Sequence, residues 1–197
     1  MIVWDKTSAG RTRASGRPKA LRRTVSRLPV SRTPASLGDP EPTQNLATQA
    51  KQLVQFMRDE IPMALAMDIR LGDCDEGHLD LLAPLAPNVN DKGSAFGGSL
   101  VSVMTLNGWA LVELALRQRG EDCDLFVGES SVHYLAPVVR DFRSEAKLSA
   151  HADWATFFRT LENRGKARIE VNCVVPGEHG KPAATLCARF VAKRRGA

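Results

Sequence analysis

The sequence predicts an α+β fold in which an antiparallel sheet wraps a long central helix. Three observations carry this. Residues 88–119, NVNDKGSAFGGSLVSVMTLNGWALVELALRQR, open as a polar, glycine-rich turn and continue as a helix-forming run whose apolar residues keep to no single face. A helix of that kind is buried on most sides. Beyond Gly120 the apolar period changes to two, the mark of strands with one buried and one solvated face. An amphipathic helix and two strand-like runs come before the central helix. One curved sheet covers part of the central helix, and its remaining face calls for a second subunit.

Taken in order, Pro34 to Pro42 is a Pro/Gly linker. Residues 45–60 place Leu46, Ala50, Leu53, Val54 and Met57 at helical spacing, and Ile61 continues the stripe. Pro62 ends or kinks this helix. Ala64–Leu71 and Gly77–Leu85 read as strands, the second with Leu79, Leu81, Ala83 and Leu85 on one face, and Asp73 to Gly77 as the turn between them. The central helix stops at Gly120. Leu125–Leu135 is strand-like and ends at Pro137. Phe142–Ala150, Ala167–Val175 and Ala184–Ala192 alternate strictly, and residues 176–182 form the hairpin loop joining the last two. Trp154–Asn163 is left open between helix and strand.

The formal charge of +5 is uneven: residues 1–43 hold nine Lys/Arg against three Asp/Glu, leaving 18 basic and 19 acidic residues in the rest. Residues 1–42 are Arg-, Ser- and Pro-rich and are expected to be a disordered basic extension, with 43–197 as the folded domain. A targeting segment, a basic arm and a start codon placed too far upstream are the competing readings of the extension. It carries no apolar run of the secretory type. No aromatic residues interleave with its arginines, which argues against nucleic acid. The central run is too short and too interrupted by polar residues to read as a membrane span. Cys74, Cys123, Cys173 and Cys187 form no C-x-x-C pair, and His78, His133, His151 and His179 form no H-E-x-x-H pattern. Reduced thiols in a cytoplasmic protein without a metal or cofactor are the expectation.

The candidate site is the start of the central helix. Gly93, Gly97 and Gly98 permit close approach of backbone to a ligand, and a helix N-terminus offers free N–H groups and partial positive charge to a carbonyl or oxyanion. Ser99, Ser102 and Thr105 make a small polar stripe on the helix. Close helix packing is the alternative reading of that stripe.

The run Asn90, Gly93, Gly97, Gly98 (N-x-x-G-x-x-x-G-G) resembles the active-site turn of hotdog-fold acyl thioesterases of the phenylacetate-pathway type. FGGSL at 96–100 and Tyr134, Leu135 and Pro137 in Y-L-x-P more closely resemble the thioesterase family typified by the C-terminal domain of YiiD. The resemblance covers roughly residues 45–193. It implies the hotdog fold and a homodimer or dimer of dimers. It also implies a thioester of coenzyme A or acyl carrier protein bound at the subunit interface. A backbone N–H of Gly97 or Gly98 would polarise the thioester carbonyl. In the phenylacetate-type enzymes a helix carboxylate serves as base or nucleophile, and here Thr105 takes its place. Phe96 stands where those enzymes often carry His. Asn90 is then a candidate for holding water, or a plain turn residue, and Asp91 a candidate base. Ser130 and Ser131 are candidates to reach the site from the partner subunit's strand, with only one able to face inward. Tyr134 and Phe96 would line it. A non-catalytic acyl-binding module is the alternative. A hotdog dehydratase would need a His, and none lies between Asn88 and Glu113.

Overall fold

The computed structural model describes residues 45–196. The expectation for residues 1–42 falls outside them. Six strands form one antiparallel sheet in the order β1-β2-β4-β5-β6-β3, and it packs against one 22-residue helix, as an α+β fold of the hotdog kind requires.

Helix α1, Leu46–Glu60, buries the expected stripe of Ala50, Leu53, Val54 and Met57. The Asn45 side chain accepts from the Ala47 amide and starts it. Ile61 is extended, as the residue before a proline prefers, and Pro62 then sits in the first turn of a second helix, α2, Pro62–Ala66. This corrects the reading of Ala64–Leu71 as a strand. Proline is well suited to a first helical turn, and a short apolar run does not distinguish buried helix from buried strand. Strand β1 begins only at Arg70 and runs to Asp75; β2 is His78–Ala83. The turn between them is therefore shorter than expected, and Asp73 to Asp75 belong to the strand. Arg58 joins the two halves of this region. Its Nη1 donates to Asp68 Oδ1 at 2.8 Å and to the Ile69 carbonyl at 2.7 Å.

Helix α3, Gly97–Gln118, is the core element. At 22 residues it is long and apolar enough to span a bilayer, which corrects the expectation that the run is too short and too interrupted. Burial in the core accounts for its composition, since Leu100, Val103, Met104, Ala110, Val112 and Leu114 are all buried. β3 is Cys123–Tyr134 and β4 is Phe142–Leu148. α4, Trp154–Arg164, settles the open segment as a helix, capped by Asp153 at its start and by Gly165 in the left-handed region at its end. β5, Lys166–Pro176, and β6, Pro182–Arg194, form the terminal hairpin.

Leu79, Leu81, Ala146, Val171, Cys173, Leu186 and Phe190 line the face of the sheet turned to α3. The opposite face is mostly polar. One row across it reads His78, Lys147, Asn172, Cys187 and Ser131. β3 is an edge strand and pairs only with β6 among the described residues. Two side-chain bonds fix α3 antiparallel to it: Tyr134 donates its hydroxyl to the Gly97 carbonyl at 3.1 Å, and Trp109 donates Nε1 to the Leu125 carbonyl at 3.2 Å.

Candidate functional site

The turn before α3 is clamped in three places. The buried Asn88 side-chain Nδ2 donates to the Met67 and Pro84 carbonyls at 3.0 and 2.8 Å, and the Asn88 main-chain carbonyl accepts from the Phe96 N–H at 2.7 Å. Ala95 N–H donates to Val138 O at 2.7 Å, which ties the turn to the segment beyond β3. Inside the turn, Asn90 Oδ1 accepts from the Lys92 and Ser94 amides at 2.8 and 3.2 Å, and its Nδ2 donates to Ser94 Oγ at 3.0 Å. Asn90 therefore acts as a turn residue in this chain, with one amide hydrogen left to offer.

These bonds present the first amides of α3. Phe96 is the N-cap residue and supplies no side-chain cap. Its own N–H is taken by Asn88, and the Leu100 amide returns to the Phe96 carbonyl. The amides of Gly97, Gly98 and Ser99 are the donors an α-helix leaves without an internal acceptor. The Phe96 ring lies over Gly98, where any Cβ would collide with it; a Cβ on Gly97 would sit 3.5 Å from the Tyr134 ring. The two glycines thus lie between two aromatic side chains, Phe96 and Tyr134, each more than half exposed.

The remaining candidates are placed as follows. Asp91 sits at the exposed tip of the turn, its carboxylate 3.1 Å from Lys92 Nζ. Ser130 is opposite Ala188 and Ser131 opposite Cys187. Ala188 is buried on the helix side, so Ser130 shares the inner face with Val132 and Tyr134, while Ser131 points to the outer face. Thr105 lies two turns along α3, half-buried, on the side that also presents Val101, Ser102 and Trp109. Ser130 falls between the same two anchor points on β3.

Sequence reasoning missed Asn88 and the Asn107–Ser144 pair. Asn107 is buried in the middle of α3, with Nδ2 donating to Ser144 O at 2.5 Å and to Ser144 Oγ at 3.0 Å. A lone Asn in an apolar helix was its only signal. Burial pushes the thiol of Cys173 up to about 12 and raises those of Cys74, Cys123 and Cys187. None of the four is a ready thiolate nucleophile. The chemistry on offer is therefore that of backbone donors and a helix dipole facing an oxygen where negative charge develops. That is what addition to a thioester carbonyl requires.

A single antiparallel sheet packed on a long helix that opens from a glycine turn defines the hotdog class. Within it, residues 50–194 match the model of the family described as "Putative thioesterase (yiiD_Cterm)", and the chain belongs to that family. Membership places it among thioester hydrolases in general terms and implies a thioester substrate; hotdog proteins are often oligomeric. Among solved structures, a protein of unknown function from Chlorobaculum tepidum is 28% identical with a TM-score of 0.72, over 78% of this chain and 99% of that one. A "putative thioesterase" from Shewanella oneidensis is 27% identical with a TM-score of 0.66, over 75% and 99%. The Escherichia coli PaaI protein from the phenylacetic acid degradation operon shares the fold at 17% identity, with a TM-score of 0.52 over 77% and 97%.

Proposed function

We propose that this protein hydrolyses acyl thioesters of coenzyme A or acyl carrier protein, as a homodimer or dimer of dimers. The observation that carries the reading is the set of uncapped amides at Gly97, Gly98 and Ser99, held open between Phe96 and Tyr134. Water adds to the thioester carbonyl carbon, and the oxyanion is held by an amide of Gly97 or Gly98. Collapse breaks the C–S bond, the carboxylic acid forms, and the thiol leaves with a proton. The free amide hydrogen of Asn90 orients the water. Asp91, the only carboxylate of the turn, takes its proton. The acyl part lies against Phe96, Tyr134, Thr105 and the inner-face Ser130. Ser131 lies on the outer face, away from α3, and has no part in this reading.

The test is a panel of acyl-CoA and acyl carrier protein thioesters. Gly97→Val, whose side chain would cover the amide, is expected to lose about 100- to 1,000-fold in kcat, the usual cost of one oxyanion donor. Asp91→Asn should lose rate without losing binding. Equal turnover by the parent and Gly97→Val would reject the assignment of the donor.

The second reading is a non-catalytic acyl-binding module. Two observations favour it: Thr105 stands in place of a carboxylate on α3, and Asn90 already spends three of its four hydrogen-bonding capacities inside the turn. A parent protein that binds the thioesters and returns them intact after incubation would establish it.

A further inference from the structure

We infer that the cleft between the exit of β3 and the β5–β6 hairpin holds the nucleotide end of coenzyme A, and that coenzyme A rather than acyl carrier protein is the thiol carrier. This rests on the acyl-thioester reading above and names the carrier for the same site. The cleft has a volume of about 370 Å³. The segment after β3 lines it with Pro137, Val138 and Val139, and the hairpin with Pro176, Pro182 and Ala183. Its charged lining is Arg140, Lys181 and Glu178, all exposed. Among the described residues none of the three has an ion-pair partner, whereas Lys92 at the turn is matched by Asp91.

Backbone bonds fix the cleft beside the turn before α3. Ala95 in that turn donates to the Val138 carbonyl, and the Leu135 and Ala136 amides both donate to the Ala183 carbonyl at 2.8 and 3.1 Å. The hairpin loop is closed by the Gly177 amide, which donates to the Lys181 carbonyl at 2.8 Å. A Cβ on Gly177 would lie 2.8 Å from that carbonyl oxygen, so only glycine fits the approach.

Reach and chemistry agree with the assignment. Tyr134 bonds Gly97, and the cleft opens at Ala136 and ends at Arg140. At about 3.3 Å per residue these lie at most about 7 and 20 Å beyond Tyr134. From the thioester sulfur to the first phosphorus of coenzyme A is about thirteen bonds, which at three bonds per residue is about 15 Å when extended. Arg140 offers a planar fork and Lys181 a point charge, the two kinds of cation that bind phosphate. Glu178 only accepts hydrogen bonds and suits the ribose hydroxyl and the adenine amino group. The prolines and valines give the adenine ring an apolar bed with few polar groups to orient it. An acyl carrier protein brings one phosphodiester and no nucleotide, and would leave that bed unfilled.

The experiment compares one acyl group carried on coenzyme A, on pantetheine and on acyl carrier protein, for the parent, Arg140→Gln, Lys181→Gln and the double variant. Both side chains are exposed, so melting temperatures should hold near the parent's. The parent's kcat/KM should be about tenfold or more higher with coenzyme A than with either other carrier. The double variant should lose most of that preference, through KM and not kcat, and each single variant part of it. The remaining preference should depend less on salt. A parent indifferent to the nucleotide or faster on acyl carrier protein would overturn the inference. So would a double variant that keeps the full preference, or one that loses equally on all three carriers. A parent that hydrolyses nothing would defeat the hydrolase reading alone. Calorimetric titration with coenzyme A and with pantetheine would then decide, and equal affinity of the parent and the double variant for coenzyme A would overturn the inference separately.

Discussion

Asn88, Asn90 and Asp80 show what a single residue type leaves unsaid. Asn90 could be placed in the turn from its glycine neighbours, and the same neighbours located the candidate donors at Gly97 and Gly98. Asn88 looks like one more polar turn residue, yet it is buried and holds the whole turn against α2 and β2. One partner, the Pro84 carbonyl, is four residues away, but the other, the Met67 carbonyl, is distant in sequence, and nothing local announces it. Asp80 is the sharpest case. Alternation predicts it on the solvated face of β2, and it does point away from α3, but it is only 3% exposed. His78 Nε2 lies 2.7 Å from Asp80 Oδ1, although its N–H is not aimed along that line, and Glu145 stands directly opposite on β4 with Arg143 paired to it. Burial, first, and the Glu145 charge raise the Asp80 carboxyl above its ordinary 3.8, against the opposing pull of His78 and Arg143. The folded chain therefore binds this proton more tightly than the unfolded chain. Asp80's contribution to stability is complete below the unfolded value and is lost as pH rises through the raised folded value. Asp80→Asn is expected to remove that part of the pH dependence. Urea midpoints from strongly acidic to neutral pH should fall less steeply for the variant than for the parent just above pH 3.8. Parallel profiles would show that Asp80 does not carry the effect.

At the scale of elements, the strict alternation of β4, β5 and β6 made their faces legible in advance, because a period of two admits one assignment of sides. The runs that were misread or left open lacked that periodicity. Ala64–Leu71 is apolar without a period, and Pro62 turned its first half into α2. α4 carried helix signals at both ends, Asp153 before it and Gly165 after it, which weigh more than its aromatic content. α3 was legible as a buried helix because it is apolar on several faces. Its closest approach to the sheet was not, since that depends on which strand crosses it. Gly108 marks that crossing: a Cβ there would lie 2.9 Å from the Phe190 ring and 3.3 Å from Cys173 Sγ. Alanine at a helix interior gains about 1 kcal/mol over glycine. Overpacking a full core costs about 1–3 kcal/mol. Phe190 is fully buried and has no free direction in which to yield. Gly108→Ala should therefore lose up to about 2 kcal/mol net in urea unfolding. A gain would mean that Phe190 swings aside at no cost and that α3 and β6 are less tightly opposed.

For the whole molecule, the sequence already implied a second subunit, since α3 is apolar on more faces than one sheet can cover. The structure locates the open side. α3 is half-buried along Val101, Thr105 and Trp109, and beside it runs the unpaired edge of β3, twelve residues long. Phe126 and Val127 are 57% and 43% exposed there, with Tyr134, Leu135 and Val139 beyond them. A long edge strand that no other described strand covers is a template for another strand. The proposed occupant is a second copy, because two identical edges can pair antiparallel about a two-fold axis and close the assembly. Full overlap of the two strands sets the axis between Gly128 and Glu129 and seats each Val127 opposite Ser130 of the partner subunit. It also brings the α3 N-terminus of one protomer toward the Trp109 end of the other, so that loss of the dimer should remove activity as well. Val127→Glu tests this, because it would bury a carboxylate without a cation partner in the interface, at a cost of several kcal/mol. The dimer dissociation constant is expected to rise by about 100-fold or more, with a monomer visible by light scattering at micromolar concentration and hydrolysis falling in step. Gly97→Val should lose hydrolysis and stay dimeric, which separates damage to the donor from damage to the assembly. A Val127→Glu protein that remains dimeric and fully active would show that the subunits meet elsewhere than along β3.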